Sequence, residues 1–459
     1  MTTSFPLSAA QRTVWDMHRK DPSGHRQSTQ RTFVVTGPLD LEALRTAVDM
    51  VVERHEPLRT VFLEGPVQRI RPHLPAPLDI VSTAPEPRAY DLTQGPLLRL
   101  AVRELGDLRY EVTVFLHLLA ADGWSMDVFF ADLSACYRAA RHGKAPELPA
   151  LPVQYVDYAA WQNGRLGPER IRELEEWWRA ALDGYPVPAP RDSPPDASDA
   201  RPAKDGVHPG ETRPGEHAPS AAWPPGRAKS HVRTVSADRM DALRALARRR
   251  AQSMFSVLAA GCALALTRDS GQDRVLLGLA VANRDRPEIE RALGFFVTLT
   301  VLPVDLRDAR DFGALAERVA QARAATYSHR ELPLHLVAAA TGLPESDDGT
   351  FSLPAVFAHH PAGSLGTLEL DGCEIVERPD PDTARFALTI RAREASDGSC
   401  EIRAEYDRAH HPDAEISALL DAYEAVLHDV SERHERHLDV VPTTVSFRAT
   451  KRPGGGGAS

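Results

Sequence analysis

Apolar residues recur along the chain with two different periods. Between Leu41 and Arg54 they fall at helical spacing, directly after Asp40, whose carboxylate suits an N-cap, so a helix is predicted there. The stretches QRTFVVTG (30–37) and EVTVFLHLL (111–119) are rich in β-branched and aromatic residues and predict strands. MDVFFADLSACYRAAR (126–141) then reads as a helix with a mostly apolar face. The alternation resumes in the second half: helices over 236–250 and 253–265, strands at 273–282, 295–306, 352–360, 386–394 and 400–407, and a closing helix over 413–430. Strands and helices mixed in this way in both halves predict two related α/β layers, and the cleft between them is the natural place for a site.

The two halves are separated by residues 186–230, PVPAPRDSPPDASDARPAKDGVHPGETRPGEHAPSAAWPPGRAKS. Proline fixes φ and removes donors, and little here can be buried, so an extended, flexible linker is expected. At 459 residues with 42% hydrophobic content the chain is too long for one ordinary core. The expected organisation is a lobe over 1–185, the linker over 186–230, a second lobe over 231–446 and a disordered tail over 447–459, which ends KRPGGGGAS. A formal net charge of −10 spread along the chain excludes the clustered positive face of a nucleic-acid binder. No signal segment and no apolar run near the roughly 18 residues of a membrane helix is visible, which predicts a cytoplasmic protein off the membrane. Cys136, Cys262, Cys373 and Cys400 lie far apart, without metal-ligand or disulfide spacing, and a reducing compartment fits them.

A series of short motifs carries a resemblance. LSAAQRTVW (Leu7 to Trp15), RHEPLRTVF (Arg54 to Phe62), DLTQGPLLRL (Asp91 to Leu100), FLHLLAADGWSM (Phe115 to Met126), VQYVDYAAWQ (Val153 to Gln162), GLAVANRDRPEIERALGFFVTLTVLPVDL (Gly278 to Leu306) and HRELPLHLV (His329 to Val337) follow one another in fixed order. In this order they resemble the condensation domains of nonribosomal peptide synthetases, relatives of chloramphenicol acetyltransferase. The resemblance implies two acetyltransferase-like lobes, arranged as a V-shaped pseudo-dimer with a tunnel between them. It also implies transfer of an acyl group from a thioester on the phosphopantetheine arm of a carrier protein to an amine, with no permanently bound cofactor and no metal.

The family's central motif is His-His-x-x-x-Asp-Gly, and its second histidine is the presumed catalytic one. With Asp122 and Gly123 fixing the register, His117 takes the first position and Leu118 the second. Neighbours on an extended strand point to opposite faces, so His117 is expected to face the supporting structure and Leu118 the tunnel. Asp122 is expected in a structural ion pair with Arg284 or Arg59, because an unpaired buried charge is expensive. Gly123 lacks Cβ and suits either close approach of a phosphopantetheine arm or a strand-to-helix turn. Ser125 is expected to cap the following helix. Leu118, Trp124, Ser125 and Thr298 are the expected tunnel residues, Thr298 standing where the family usually has asparagine. His55 is expected to be structural. The pairs His359-His360 and His410-His411 lack a third ligand at metal spacing and read as packing or surface histidines.

The sequence has no adenylation-type phosphate loop and no carrier element of its own, so a free-standing module is expected, with donor and acceptor delivered by other molecules. Three readings follow. The first is an acyltransferase in which placement supplies most of the rate, since orientation is worth about 7–11 kcal/mol and a positioned base about 10²–10⁴-fold. The second is a catalytically silent module that binds a carrier or recruits a tailoring enzyme. The third, esterification or cyclisation, is least favoured, because the cyclising relatives carry paired aspartates that this motif lacks.

Overall fold

The computed structural model describes residues 3–22, 27–75, 77–187, 227–268, 270–345, 351–363, 366–378 and 384–433. Most of the expected linker (188–226) and the whole expected tail lie outside them. In the first half the order is β1 (Phe5–Pro6), α1 (Ala9–Lys20), β2 (Ser28–Thr36), α2 (Leu41–Arg54), β3 (Thr60–Leu63), β4 (Val67–Ile70), β5 (Leu78–Val81), β6 (Leu98–Gly106), β7 (Arg109–His117), α3 (Gly123–Arg141), α4 (Tyr155–Arg165) and α5 (Pro168–Ala181). The second half runs β8 (Ala228–Val235), α6 (Ala237–Arg249), α7 (Met254–Thr267), β9 (Arg274–Val281), α8 (Pro287–Glu290), β10 (Thr298–Asp305), α9 (Phe312–Ser328), α10 (Leu334–Thr341), β11 (Ala355–His360), β12 (Glu374–Glu377), β13 (Leu388–Glu394), β14 (Cys400–Asp407) and α11 (Asp413–Arg433).

Helix starts follow local chemistry. Ser8 and Gln11 form a capping box at α1, each side chain accepting from the other's backbone N–H at 3.0 Å. Asp40 accepts from Ala43 N at 2.9 Å and starts α2 where the periodicity begins. Helix α7, apolar on all sides, is correspondingly buried. It lies against α11, where Gly261 meets the Tyr423 and Leu427 side chains.

The strands form a mixed α/β fold. A six-stranded sheet of order β10-β9-β11-β13-β14-β8 belongs to the second half, and β1-β4-β3 make a small sheet at the N-terminus. The five-stranded sheet has the order β12-β2-β7-β6-β5. Its edge strand β12 comes from the second half and pairs antiparallel with β2, from Glu374 opposite Thr36 to Glu377 opposite Phe33. Arg31 fastens this crossover, with its Nε 2.5 Å from Glu377 and its Nη1 3.2 Å from Asp127 of α3. EIVE is too short and too polar to announce itself as a strand, and its pairing was not expected.

Strand β7 is central in this sheet, between β2 and β6. Val112, Val114 and Leu116 belong to the apolar core that α2 and α3 cover. The alternate residues turn the other way. Thr113 shares a hydroxyl hydrogen bond with Thr32 at 3.2 Å, and the Phe115 ring lies under the Arg99 guanidinium. His117 is the last residue of that series. No helix among the described residues is long and apolar enough to cross a membrane.

Candidate active site

The chain turns sharply after His117. Ala120 N donates to the His117 carbonyl at 2.9 Å, and Leu118 N donates to the carbonyl of Gln27, just ahead of β2, at 2.7 Å. The turn delivers Asp122 to the start of α3, where its Oδ1 accepts from Ser125 N at 2.8 Å. Asp122 is therefore the N-cap; Ser125, expected in that role, is the third residue of the helix and supplies the capped N–H.

Asp122 also reaches the second half of the chain. Arg284 Nη2 is 3.3 Å from Oδ1, and the N–H groups of Phe296 and Val297 donate to Oδ2 at 3.0 and 3.2 Å. Asp122 N donates to the Gly294 carbonyl at 3.2 Å. Ser125 Oγ donates to the same carbonyl at 2.7 Å and accepts from Gly294 N at 3.1 Å and Arg284 Nη2 at 2.7 Å. Arg284 Nη1 donates to the carbonyls of Ile289 and Ala292, both at 2.7 Å, and its guanidinium lies over the Phe296 ring at 4.1 Å. The pair is almost wholly desolvated, with side-chain exposures of 1% for Arg284 and 2% for Asp122. Burial pulls the Arg284 pKa down while Asp122 pushes it back. Four donors saturate the carboxylate, which leaves it no free lone pair for a substrate proton.

Arg59 is not part of this pair. It closes the short helical turn after α2, where its guanidinium donates to the carbonyls of Glu53 at 3.3 Å and Arg71 at 2.7 Å. Arg284 has the advantage that its own loop wraps round it with carbonyl acceptors.

Leu118, expected to face a tunnel, packs among apolar side chains. It is 4% exposed and joins Val112, Val114 and Leu116 in the helix-covered core. His117 is fully buried on the other face of the sheet, with the rings of His18 and Tyr90 edge-on to it at 5.4 and 5.2 Å. Its Nδ1 accepts from Leu119 N at 3.1 Å, while its Nε2 has no partner. Desolvation lowers its pKa to about 3, so the ring is neutral. The two residues thus lie in different surroundings, His117 against the rings of His18 and Tyr90 and Leu118 among aliphatic side chains.

Of the remaining expected residues, Trp124 stands 44% exposed with its Nε1 on the Glu290 carbonyl, and Ser125 is buried and fully engaged. Gly123 opens α3 with open space where a Cβ would sit, so neither crowding nor a left-handed φ demands glycine. Thr298 Oγ1 accepts from Asn283 Nδ2 at 2.9 Å, and Asn283 Oδ1 in turn accepts from Arg330 at 2.8 Å. His55 is buried against Asp132 at 2.9 Å, His359 pairs with Glu394 and His411 with Glu415. No metal-ligand cluster occurs among the described residues.

Sequence reasoning missed Gly294, His18, Gln27 and Tyr90. Gly294 alone left a trace, in the GFF triplet: its φ is +155° and a Cβ there would fall 1.8 Å from Tyr155 Cδ2. His18 lies three residues past the first motif, Leu7 to Trp15, and only the fold brings it to His117.

With this geometry in place, comparison with known proteins is informative. The condensation-domain family profile, described as "Condensation domain", matches residues 1–450. A linear gramicidin synthase polypeptide of Brevibacillus parabrevis is 31% identical over 350 residues, covering 72% of this chain and 4% of that protein. Malpinin synthetase of Mortierella alpina is 29% identical over 415 residues, covering 86% of this chain and 5% of its own length. The chain thus spans only a small fraction of either relative. Among solved structures, the X-domain in its complex with OxyB from teicoplanin biosynthesis superposes with a TM-score of 0.78 at 24% identity, covering 97% of both chains.

Proposed function

The chain belongs to the condensation-domain family of nonribosomal peptide synthesis, and from that premise we propose that it is an acyltransferase acting in trans on a carrier protein's phosphopantetheine thioester. The acyl group passes to an amine and an amide bond forms. One observation carries this reading: the buried frame of Asp122, Arg284, Ser125 and Gly294 joins the central motif to the second half of the chain. Such a frame holds a reaction centre rigid, and in a site with leucine at the usual histidine position rigidity has to supply the rate. The saturated carboxylate is a positioning group in this scheme, not a base.

The test is to mix the protein with a loaded carrier and amines and to follow the carrier by intact-protein mass spectrometry. Loss of the acyl mass with appearance of the amide, faster than without protein, is expected. Release no faster than the spontaneous rate sinks the reading.

A second reading, binding without chemistry, is favoured by Leu118, which places hydrocarbon where the family's histidine belongs. The partner would be the carrier or another protein, as the X-domain is known in complex with OxyB. Retained binding of a loaded carrier without turnover, in protein whose fold is intact, supports it.

A further inference from the structure

We propose that residues 366–377 are a strap that opens from the first half of the chain as a unit, and that Asp127 gates the opening with pH. This goes beyond the acyl-transfer reading and does not depend on it. The segment follows β11 and precedes β13, both inner strands of the second-half sheet, yet it lies along α3 of the first half. Gly366 runs so close to α3 that a Cβ there would fall 2.7 Å from the Asp127 carbonyl oxygen. Glu369 N donates to Ser134 Oγ at 2.9 Å, the Asp371 carbonyl accepts from Arg141, and the Asp371 carboxylate meets the half-exposed His142 at 3.0 Å. Leu368 and Leu370 sink into the apolar core beneath this line of contacts. The strap ends in β12, an edge strand of four residues that pairs with β2 on one side. Elements with short, one-sided pairing open locally at lower cost than the sheet they leave.

The gate is a guanidinium shared between two carboxylates. Arg31 Nε and Nη2 donate to the two oxygens of Glu377 at 2.5 and 2.6 Å, which takes up the fork of the guanidinium. Asp127 receives Nη1 at 3.2 Å and the Gly366 N–H, and Nη1 is divided with the Gly366 carbonyl at 3.3 Å. The side chains are mostly withdrawn from water, with exposures of 10% for Arg31, 15% for Asp127 and 29% for Glu377. Among the described residues, Arg31 of β2 and Glu377 of β12 are the charged groups that face Asp127, and α3 adds the Phe130 ring, over which Arg31 lies at 5.0 Å. Two negative charges against one positive leave a surplus that burial penalises, and a proton on Asp127 removes it.

Burial accordingly raises the Asp127 carboxyl to about 6, with Arg31 pulling it down and Glu377 pushing it up. Opening the strap returns the carboxyl to water, where it titrates near 4. The closed strap therefore holds a proton that the open one releases. Closure is strongest below about pH 4 and weakens as the pH rises through about 6. Opening also frees the flank of α3, the helix that Asp122 caps.

The experiment is hydrogen exchange of the full chain, read peptide by peptide by mass spectrometry, in the parent and in Asp127→Asn, which keeps the shape of the side chain without its charge. Position 127 lies outside the strap, so the intrinsic exchange rates of the strap amides are the same in both proteins. His142 is present in both, so the ratio of the two isolates Asp127. Between pH 5 and pH 7 the parent strap should lose protection about 10-fold relative to Asp127→Asn. At both pH values the strap amides should exchange faster than those of the six-stranded sheet. In a Glu377→Gln background Asp127 has Arg31 to itself, and the same comparison should show a smaller fall. A ratio that does not change with pH, or a fall undiminished in Glu377→Gln, overturns the gate. Strap amides as protected as those of the six-stranded sheet overturn the strap, since it would then open only when the whole chain unfolds.

Discussion

Asp122 and Leu118 lie four positions apart and were read from the same motif, yet their environments are opposites. Asp122 accepts four hydrogen bonds, three of them from residues more than 150 positions away. Replacing it by alanine leaves the Arg284 guanidinium buried without its counter-charge, so Asp122→Ala should lose about 3–5 kcal/mol of stability in urea unfolding, through structure and not through a lost base. Leu118 sits among aliphatic neighbours, and an imidazole there finds no partner of its own. Leu118→His is expected to cost about 1–3 kcal/mol and to leave aminolysis no faster than in the parent. A faster variant would show that position 118 faces the reacting groups after all. The register of the motif was legible from Asp122 and Gly123 alone. The choice between Arg284 and Arg59 was not, since both follow apolar stretches and only the folded loops decide which one meets the carboxylate. Asp122 and Ser125 are both good caps, and tertiary bonds to Gly294 decided between them as well.

At the scale of elements, most of what was periodic was found. Helix α2 has the expected limits, α6 and α7 start after the expected serines, and β14 spans the expected residues 400–407. Helix α3 begins three residues earlier than expected, because the aspartate cap outside its apolar run sets the start. What escaped are elements whose stability is borrowed. Strand β12 has four residues and exists through its pairing with β2 and through Arg31, a contact across more than 340 positions that no local pattern encodes. The loop at Gly294 is similar, since its shape is dictated by the Tyr155 ring and by Asp122. Gly294→Ala should therefore act at a distance: the new Cβ displaces Tyr155, whose hydroxyl bonds Ser8 and the Phe295 carbonyl. We expect a loss of about 1–3 kcal/mol, read as a lowered melting temperature, with the Asp122 frame loosened.

Taken as a whole, the molecule should be sensitive to acid, and the direction can be worked out from its buried rings. Burial lowers the pKa of His18, His55, His117, His335, His359 and His360, to about 3 for His117 and about 4 for His360. In the unfolded chain these rings titrate near 6.5. Below that value the unfolded state binds protons that the folded state refuses, and stability rises with pH wherever the unfolded state binds more. Asp127 works against this trend. Its carboxyl is pushed up to about 6 by burial, against the pull of Arg31, so from about pH 4 to 6 the folded state holds a proton that the unfolded chain releases, and stability falls with rising pH. The six histidines are opposed by two carboxyls, since burial also raises Glu56, and a fully transferred proton is worth about 1.4 kcal/mol per pH unit. Unfolding free energies from urea titrations should thus climb as the pH rises from 5 to 6. Asp127→Asn should make the climb steeper, because the opposing proton is gone, while His360→Gln should make it shallower. A flat profile in the parent would mean that these rings are solvated in solution.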